Sequence, residues 1–358
     1  MPDKARIAVI GTGWWATTAH LPTLQAHPDA EIVAIADLRS DVLEKAAAKH
    51  EVEKTYTDYR EMLAKEDLDG AVVAVYHSAH HEIARTCLEH DLHILLEKPM
   101  VLTAPHAREL SELASARGRE LIMGYPWHYT PHTLRARQIL HAGELGTIRC
   151  INSIFASMVI HFMRGDDSRY RSVFDYPVVG PGDVYNDPER SGQGQGHLQV
   201  THSAGLLFFM TGLKPVRVAA MMENMGLVAD VVDSITVRMD NGALATVAST
   251  GIMRPGDTDH LETRIFCDEG WVDIDSLAGT LQIRHADQAL ESPPPLQAAE
   301  QIYPMHMPAT NLVQVVRGEA ANGSPAEVGW RTVEFLDAAY RSAAQEGQPV
   351  DVASLYEE

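Results

Sequence analysis

In the first third of the chain, short apolar runs alternate with stretches whose apolar residues recur at helical spacing. Residues 6–10, 31–37, 71–75, 93–97 and 120–124 predict strands, and 16–27, 41–50, 80–90 and 105–117 predict helices. Strands alternating with helices at this spacing predict a doubly wound parallel sheet with helices on both faces. After residue 124 the pattern changes. A helix is predicted over 131–142, followed by longer strands at 147–157, 216–222, 234–239, 243–249, 262–267 and 271–275. Asp240-Asn241-Gly242 and Asp268-Glu269-Gly270 have the composition of hairpin turns. This part therefore predicts a large, mostly antiparallel open sheet with a few helices. Helical patterns at 307–317 and 329–346 close the chain, and 163–196, rich in Gly, Asp, Pro and Arg, predicts a long functional loop.

The length of 358 residues suits two domains, which the change of pattern places at 1–124 and 125–358, with the last residues returning to the first. Acidic residues number 49 against 29 basic ones, a formal charge of −20. Such a surface repels nucleic-acid backbones and anionic lipid, so neither is expected as a partner, and a phosphate-bearing ligand must be held locally. Cys87, Cys150 and Cys267 are widely spaced, which suggests no disulfide framework and fits a reducing cytoplasm. No targeting segment is expected. The longest uncharged stretch, 191–213, contains Gln193, His197 and His202 and is too polar to span a membrane.

The first predicted strand runs into Gly11-Thr12-Gly13-Trp14-Trp15-Ala16, a G-x-G-x-x-A turn opening a helix. Gly11 permits the tight turn, Gly13 lets a pyrophosphate approach the backbone, and Ala16 lets the helix pack close to the strand. Asp37, at the end of the second strand, stands where an acid bonds the adenosine ribose. Asp37 favours NAD, while Arg39 could pair with the extra phosphate of NADP. Glu97-Lys98-Pro99 ends the fourth strand, where a side chain faces the ligand crevice of a doubly wound sheet.

Together these motifs resemble the glucose–fructose oxidoreductase, inositol dehydrogenase and rhizopine catabolism (Gfo/Idh/MocA) family along the full length. His20-Leu21-Pro22, His81-Glu82-Ile83-Ala84, Tyr129-Thr130-Pro131, Gly143-Glu144-Leu145-Gly146, Tyr340-Arg341-Ser342-Ala343 and Gly347-Gln348-Pro349-Val350 share its order. The resemblance implies an NAD(P)-dependent dehydrogenase of a sugar, sugar derivative or cyclitol. In that reading Lys98 contacts cofactor and substrate and stabilises the alkoxide, and His202 is the general acid/base. Glu97, Tyr76, His77 and His81 join the glycine turn around the cofactor. A homodimer or homotetramer is expected through the open sheet.

Two positions depart from the family. Leu198 stands where many members carry an Asp one turn before the histidine, so Gln199, Thr201, Asp183 or Asp187 is expected to serve the imidazole instead. Tyr76-His77-Ser78 replaces Thr-Pro-Asn. His128, Asp187, His197 and Gln199 are candidate substrate contacts, with His161, Arg164 and Arg169 as further ones. His77, His80 and His81 match no zinc spacing, so no metal is expected. Two other functions fit the same motifs: a glycosidase using transient oxidation by bound NAD, and a non-catalytic NAD-sensing regulator.

Overall fold

The computed structural model describes residues 4–166, 168–171, 176–182, 184–254 and 256–357. Its first sheet is built from β1 (Ala5–Ile10), β2 (Ala30–Ala36), β3 (Thr55–Tyr56), β4 (Gly70–Val73), β5 (His93–Leu96) and β6 (Leu121–Met123). The order is β3-β2-β1-β4-β5-β6, and every pair is parallel. Strand order reverses between β1 and β4, so loops leaving those two strands open a crevice at their carboxyl ends. The strands read as near-continuous apolar runs because helices cover both faces. One cover comes from far along the chain. Helix Met307–Val316 buries Leu312 and Val313 against Ile7, Val9, Val72, Leu95 and Ile122.

The second sheet contains β7 (Ile148–Ala156), β8 (Pro215–Glu223), β9 (Val232–Met239), β10 (Leu244–Thr250), β11 (His260–Cys267), β12 (Gly270–Asp275), β13 (Thr280–His285) and β14 (Val350–Asp351). Its order is β13-β12-β11-β7-β10-β9-β8-β14, antiparallel except where β7 meets β10. Along β9 and β11 buried and exposed residues alternate strictly, so one face packs on the core and the other is open. Helix Thr201–Thr211 lies on the covered face with ten of its residues buried. A helix apolar on all sides must be enclosed; here the sheet and helix Ala326–Ala344 enclose it, with Phe208 edge-on to Phe335. Gly212, left-handed at φ 69°, ends it.

The chain end pairs with this second sheet, Val350 opposite Val218. It also reaches the first domain's helix Ala104–Arg117, where Arg108 lies 4.1 Å over the Tyr356 ring. Among the described residues, no helix is long and apolar enough to cross a membrane.

Candidate active site

A cavity of about 1390 Å³ runs along the crevice, from Asp37 and Arg39 at one end, past Gly13, to Lys98 and His202. Its first wall is the glycine turn. Gly11 sits at φ 89°, and a methyl group on it would overlap the Ala74 carbonyl. At Gly13 the nearest atom to such a group would be Arg39 Nη2, 3.8 Å away, so the backbone there is open to a ligand. This narrow turn ahead of a helix fits a dinucleotide pyrophosphate. Thr12 faces inward instead. Its amide (2.9 Å) and hydroxyl (3.2 Å) both donate to Asp37 Oδ2. Arg39 donates to the same carboxylate from its backbone N (2.9 Å), Nε (3.2 Å) and Nη2 (3.2 Å). Burial would raise Asp37, but these donors outweigh it and hold the carboxyl below its ordinary range.

Glu97 is the hub of the second wall. Its Oε1 accepts from Trp15 Nε1 and meets His20 Nε2, both at 2.8 Å, and its Oε2 accepts from the Lys98 amide at 3.2 Å. Burial pushes Glu97 up, while His20 and Lys98 together pull it lower than usual. His20-Leu21-Pro22 thus has a physical role that its spacing did not reveal. Its His20 orients the Glu97 carboxylate, which in turn accepts from the Trp15 indole.

Lys98 Nζ donates to the backbone carbonyl of Leu198 at 3.1 Å. Leu198, whose side chain cannot orient an imidazole, thus contributes its main-chain oxygen to the lysine. The carbonyl belongs to a π-helical turn, Gly196–Val200, that precedes helix Thr201–Thr211. Single π-turns of this kind recur at functional sites. Burial lowers Lys98 to about 8, with Glu97 opposing. His202 lines the same cavity, edge-on to Trp127 with centroids 5.2 Å apart. Burial, Lys98 and His128 push it well below the usual histidine range, so it is neutral at pH 7. Its Nδ1 is buried with no hydrogen-bond partner among the described residues.

Trp14, Trp15, Tyr76, His77 and Gln199 also line the cavity. His77 Nδ1 donates to the Ser191 carbonyl at 2.7 Å, which leaves Nε2 as the acceptor. Other candidates lie elsewhere. His128 is stacked 4.1 Å from Phe209 and bonds Ser324 Oγ at 2.8 Å, and burial lowers it to about 3. His197 packs its ring against Tyr340, 4.8 Å between centroids. His81 stacks on His106 and bonds Glu109 Oε2 at 3.0 Å. Asp187 caps the short helix Pro188–Ser191, accepting from the Glu189 amide, and pairs with Arg190. None of these four is a cavity residue, and neither His161 nor Arg164 is. Asp183 and the Arg169 side chain lie outside the described residues. His80 bonds the Pro99 carbonyl at 2.8 Å, so His77, His80 and His81 turn to three different acceptors.

Sequence reasoning missed Asp230. Its carboxylate accepts from the amides of Gly194 (2.9 Å) and Gly196 (2.7 Å) and from the Tyr340 hydroxyl (3.1 Å). The repeated glycines of 192–196 wrap this buried acid and so set the start of the His202 helix. The alternation of Gly and Gln was the available signal, but the acid lies 34 residues from Gly196.

Two family models match: an oxidoreductase family with an NAD-binding Rossmann fold over residues 5–125, and the GFO/IDH/MocA C-terminal domain over 133–273. The chain is 31% identical over 173 residues to dTDP-3,4-didehydro-2,6-dideoxy-alpha-D-glucose 3-reductase of Saccharopolyspora spinosa, covering 48% of this chain and 51% of that protein. It is 29% identical over 147 residues to D-xylose 1-dehydrogenase [NADP(+)] of Haloarcula marismortui, covering 40% and 41%. The chain thus spans about half or less of the length of these curated relatives. Two solved structures share the fold: levoglucosan dehydrogenase in complex with NADH and L-sorbose, and GenD2 from gentamicin A biosynthesis in complex with NAD. The first superposes at a TM-score of 0.81 with 19% identity, covering 98% of this chain and all of the other. The second has a TM-score of 0.78 with 22% identity, covering 98% and 97%. The NAD-binding Rossmann model spans the first sheet and the C-terminal model most of the second, in the order the fold has them: the chain belongs to the Gfo/Idh/MocA family.

Proposed function

We propose that the protein is an NAD-dependent dehydrogenase acting on a secondary hydroxyl of a sugar, sugar derivative or cyclitol. The observation that carries this is one continuous cavity joining Asp37 and the glycine turn to Lys98 and His202. When bound, NAD supplies the hydride acceptor. Asp37, already charged and held by Thr12, orients the ribose hydroxyls. Lys98, an ammonium below its value of about 8, donates to the substrate oxygen and stabilises charge developing there. His202, neutral and lined up in the same cavity, receives the hydroxyl proton. Trp127 and the buried helix exclude water from that transfer.

A second assignment of the proton is favoured by one observation. Lys98, near 8, is better matched to neutral pH than His202. In that case Lys98 itself takes the proton, and His202 orients the hydroxyl. The relatives that are sugar reductases and dehydrogenases support the substrate class. The deciding experiment is a panel of aldoses, ketoses, inositols, anhydrosugars and glycosides with NAD and with NADP, read by nicotinamide absorbance. Sustained reduction with at least one member is expected. No absorbance change with any of them overturns the reading.

A further inference from the structure

The cavity beyond Lys98 has an unusual wall for a polyol site. The lining side chains from Trp127 to Tyr185 are mostly apolar and aromatic, and the charged lining residues Arg254, Asp257, Asp259 and Glu300 come from later in the chain. The inner part is aromatic: Trp127 lies edge-on to His202, and Tyr303 is 4.7 Å from Trp127. The outer part is also aromatic. Phe162 stacks on Tyr170 with centroids 3.6 Å apart, and Tyr185 lies 5.8 Å from Phe162. Trp14 of the glycine turn joins this wall, 6.4 Å from Phe162. Met158, Val159 and Val184 fill the remaining surface. Ser157, Gln199 and the tyrosine hydroxyls are the hydrogen-bonding groups among these residues, and Asp259 adds a carboxyl near Tyr170.

Such a surface matches few hydroxyls and much apolar area. A free polyol pressed against these rings would leave hydroxyls without partners. A sugar ring can bond Lys98 and His202 through one edge while resting an apolar face on the inner aromatics. The outer wall then has room for a second, apolar group.

We infer that the substrate is a glycoside with an apolar or aromatic aglycone, its sugar ring at Lys98 and His202 and its aglycone against Trp14, Phe162, Tyr170 and Tyr185. This rests on the dehydrogenase reading above. In the reaction a ring carbinol C–H breaks, its hydride reduces NAD, and the hydroxyl proton passes to the enzyme base. The product is the ring ketone plus NADH, with the glycosidic bond intact.

The test compares phenyl β-D-glucopyranoside, methyl β-D-glucopyranoside and glucose with the full chain and NAD. We expect kcat/KM for the phenyl glucoside to exceed that for the methyl glucoside by about tenfold or more, as specificity from an added apolar group allows. Phe162→Ala should bring the ratio toward unity, and Tyr185→Ala serves if Phe162→Ala does not fold, with NADH binding as the folding check. Equal kcat/KM for the two glucosides overturns this inference and leaves the dehydrogenase reading standing. If no sugar turns over, the dehydrogenase reading fails and binding to the NADH-loaded protein decides this one. Tighter binding of the phenyl glucoside supports it, and equal Kd values overturn it.

Discussion

The Lys98 ammonium donates to the Leu198 carbonyl, while the Glu97 carboxylate accepts from the Lys98 main-chain amide and favours the ammonium by its charge. Substrate oxygen must compete for an ammonium already donating one hydrogen bond, with two protons left to offer. Replacing Lys98 by Met should lower kcat/KM by about 10² or more while NAD binding changes little, as for loss of one preorganised donor. Steady-state rates with cofactor titration by fluorescence check this. The two proton assignments also give opposite pH limbs. If the ammonium is needed as a stabiliser, oxidation slows as pH rises through about 8; if Lys98 is the base, oxidation rises through it. His202→Gln should retain that limb in either case, since His202 is neutral throughout. A pH–rate profile of both proteins reads the answer. Lys98 and Asp37 were legible in the sequence because position after a strand fixes where such residues point. His128, His197 and His81 were not, because a polar residue's type does not say whether a stacked ring or a carbonyl will claim it. His128 found Phe209 and His197 found Tyr340.

At the scale of elements, the loop before the His202 helix depends on Asp230. A methyl group at Gly194 would overlap the Asp230 backbone carbonyl, a group with no freedom to move away. Gly194→Ala should therefore cost about 1–3 kcal/mol of stability, as overpacking does, measured by urea unfolding. Beside it, Asp233 on β9 is buried, and burial together with Asp230 raises it well above the usual carboxyl range. The folded state therefore keeps this proton after the unfolded chain has released it. Stability from this residue falls as pH rises above the ordinary aspartate range. Asp233→Asn should flatten that dependence and make the protein more stable than wild type at pH 8, in denaturant titrations at pH 5 and 8. The long strands were readable from their alternation. β13 carries the same alternation, Leu281 and Ile283 inward, yet was missed beside the loop that follows. β3 and β14 have two residues each, too few to carry a period. The π-turn at Gly196–Val200 has no sequence signature, since its register is set by the Asp230 contacts around it.

At the scale of the whole molecule, a charge of −20 opposes a dinucleotide, so attraction for it must be local, at the backbone amides of the glycine turn and at Arg39. NAD binding to the folded state alone should raise unfolding free energy by about 2.7 kcal/mol at a hundredfold excess over Kd. Thermal melts across an NAD series check this, and an unchanged Tm would argue against a preformed site. The two sheets were legible from the change in pattern near residue 124. Their mutual cover was not, because helix Met307–Val316 lies far along the chain from the strands it packs on.

That helix has a consequence for how the molecule is made. Ile122 and Leu312 share one core cluster although 190 positions separate them. A ribosome that has finished the six strands of the first sheet has not yet produced the residues that complete the cover of one face over β4, β5 and β6. The nascent NAD-binding half must wait, with a greasy flank open to chaperones, until the second sheet has been almost entirely synthesised. Its completion is then a closing step that ties both halves into a single cooperative unit.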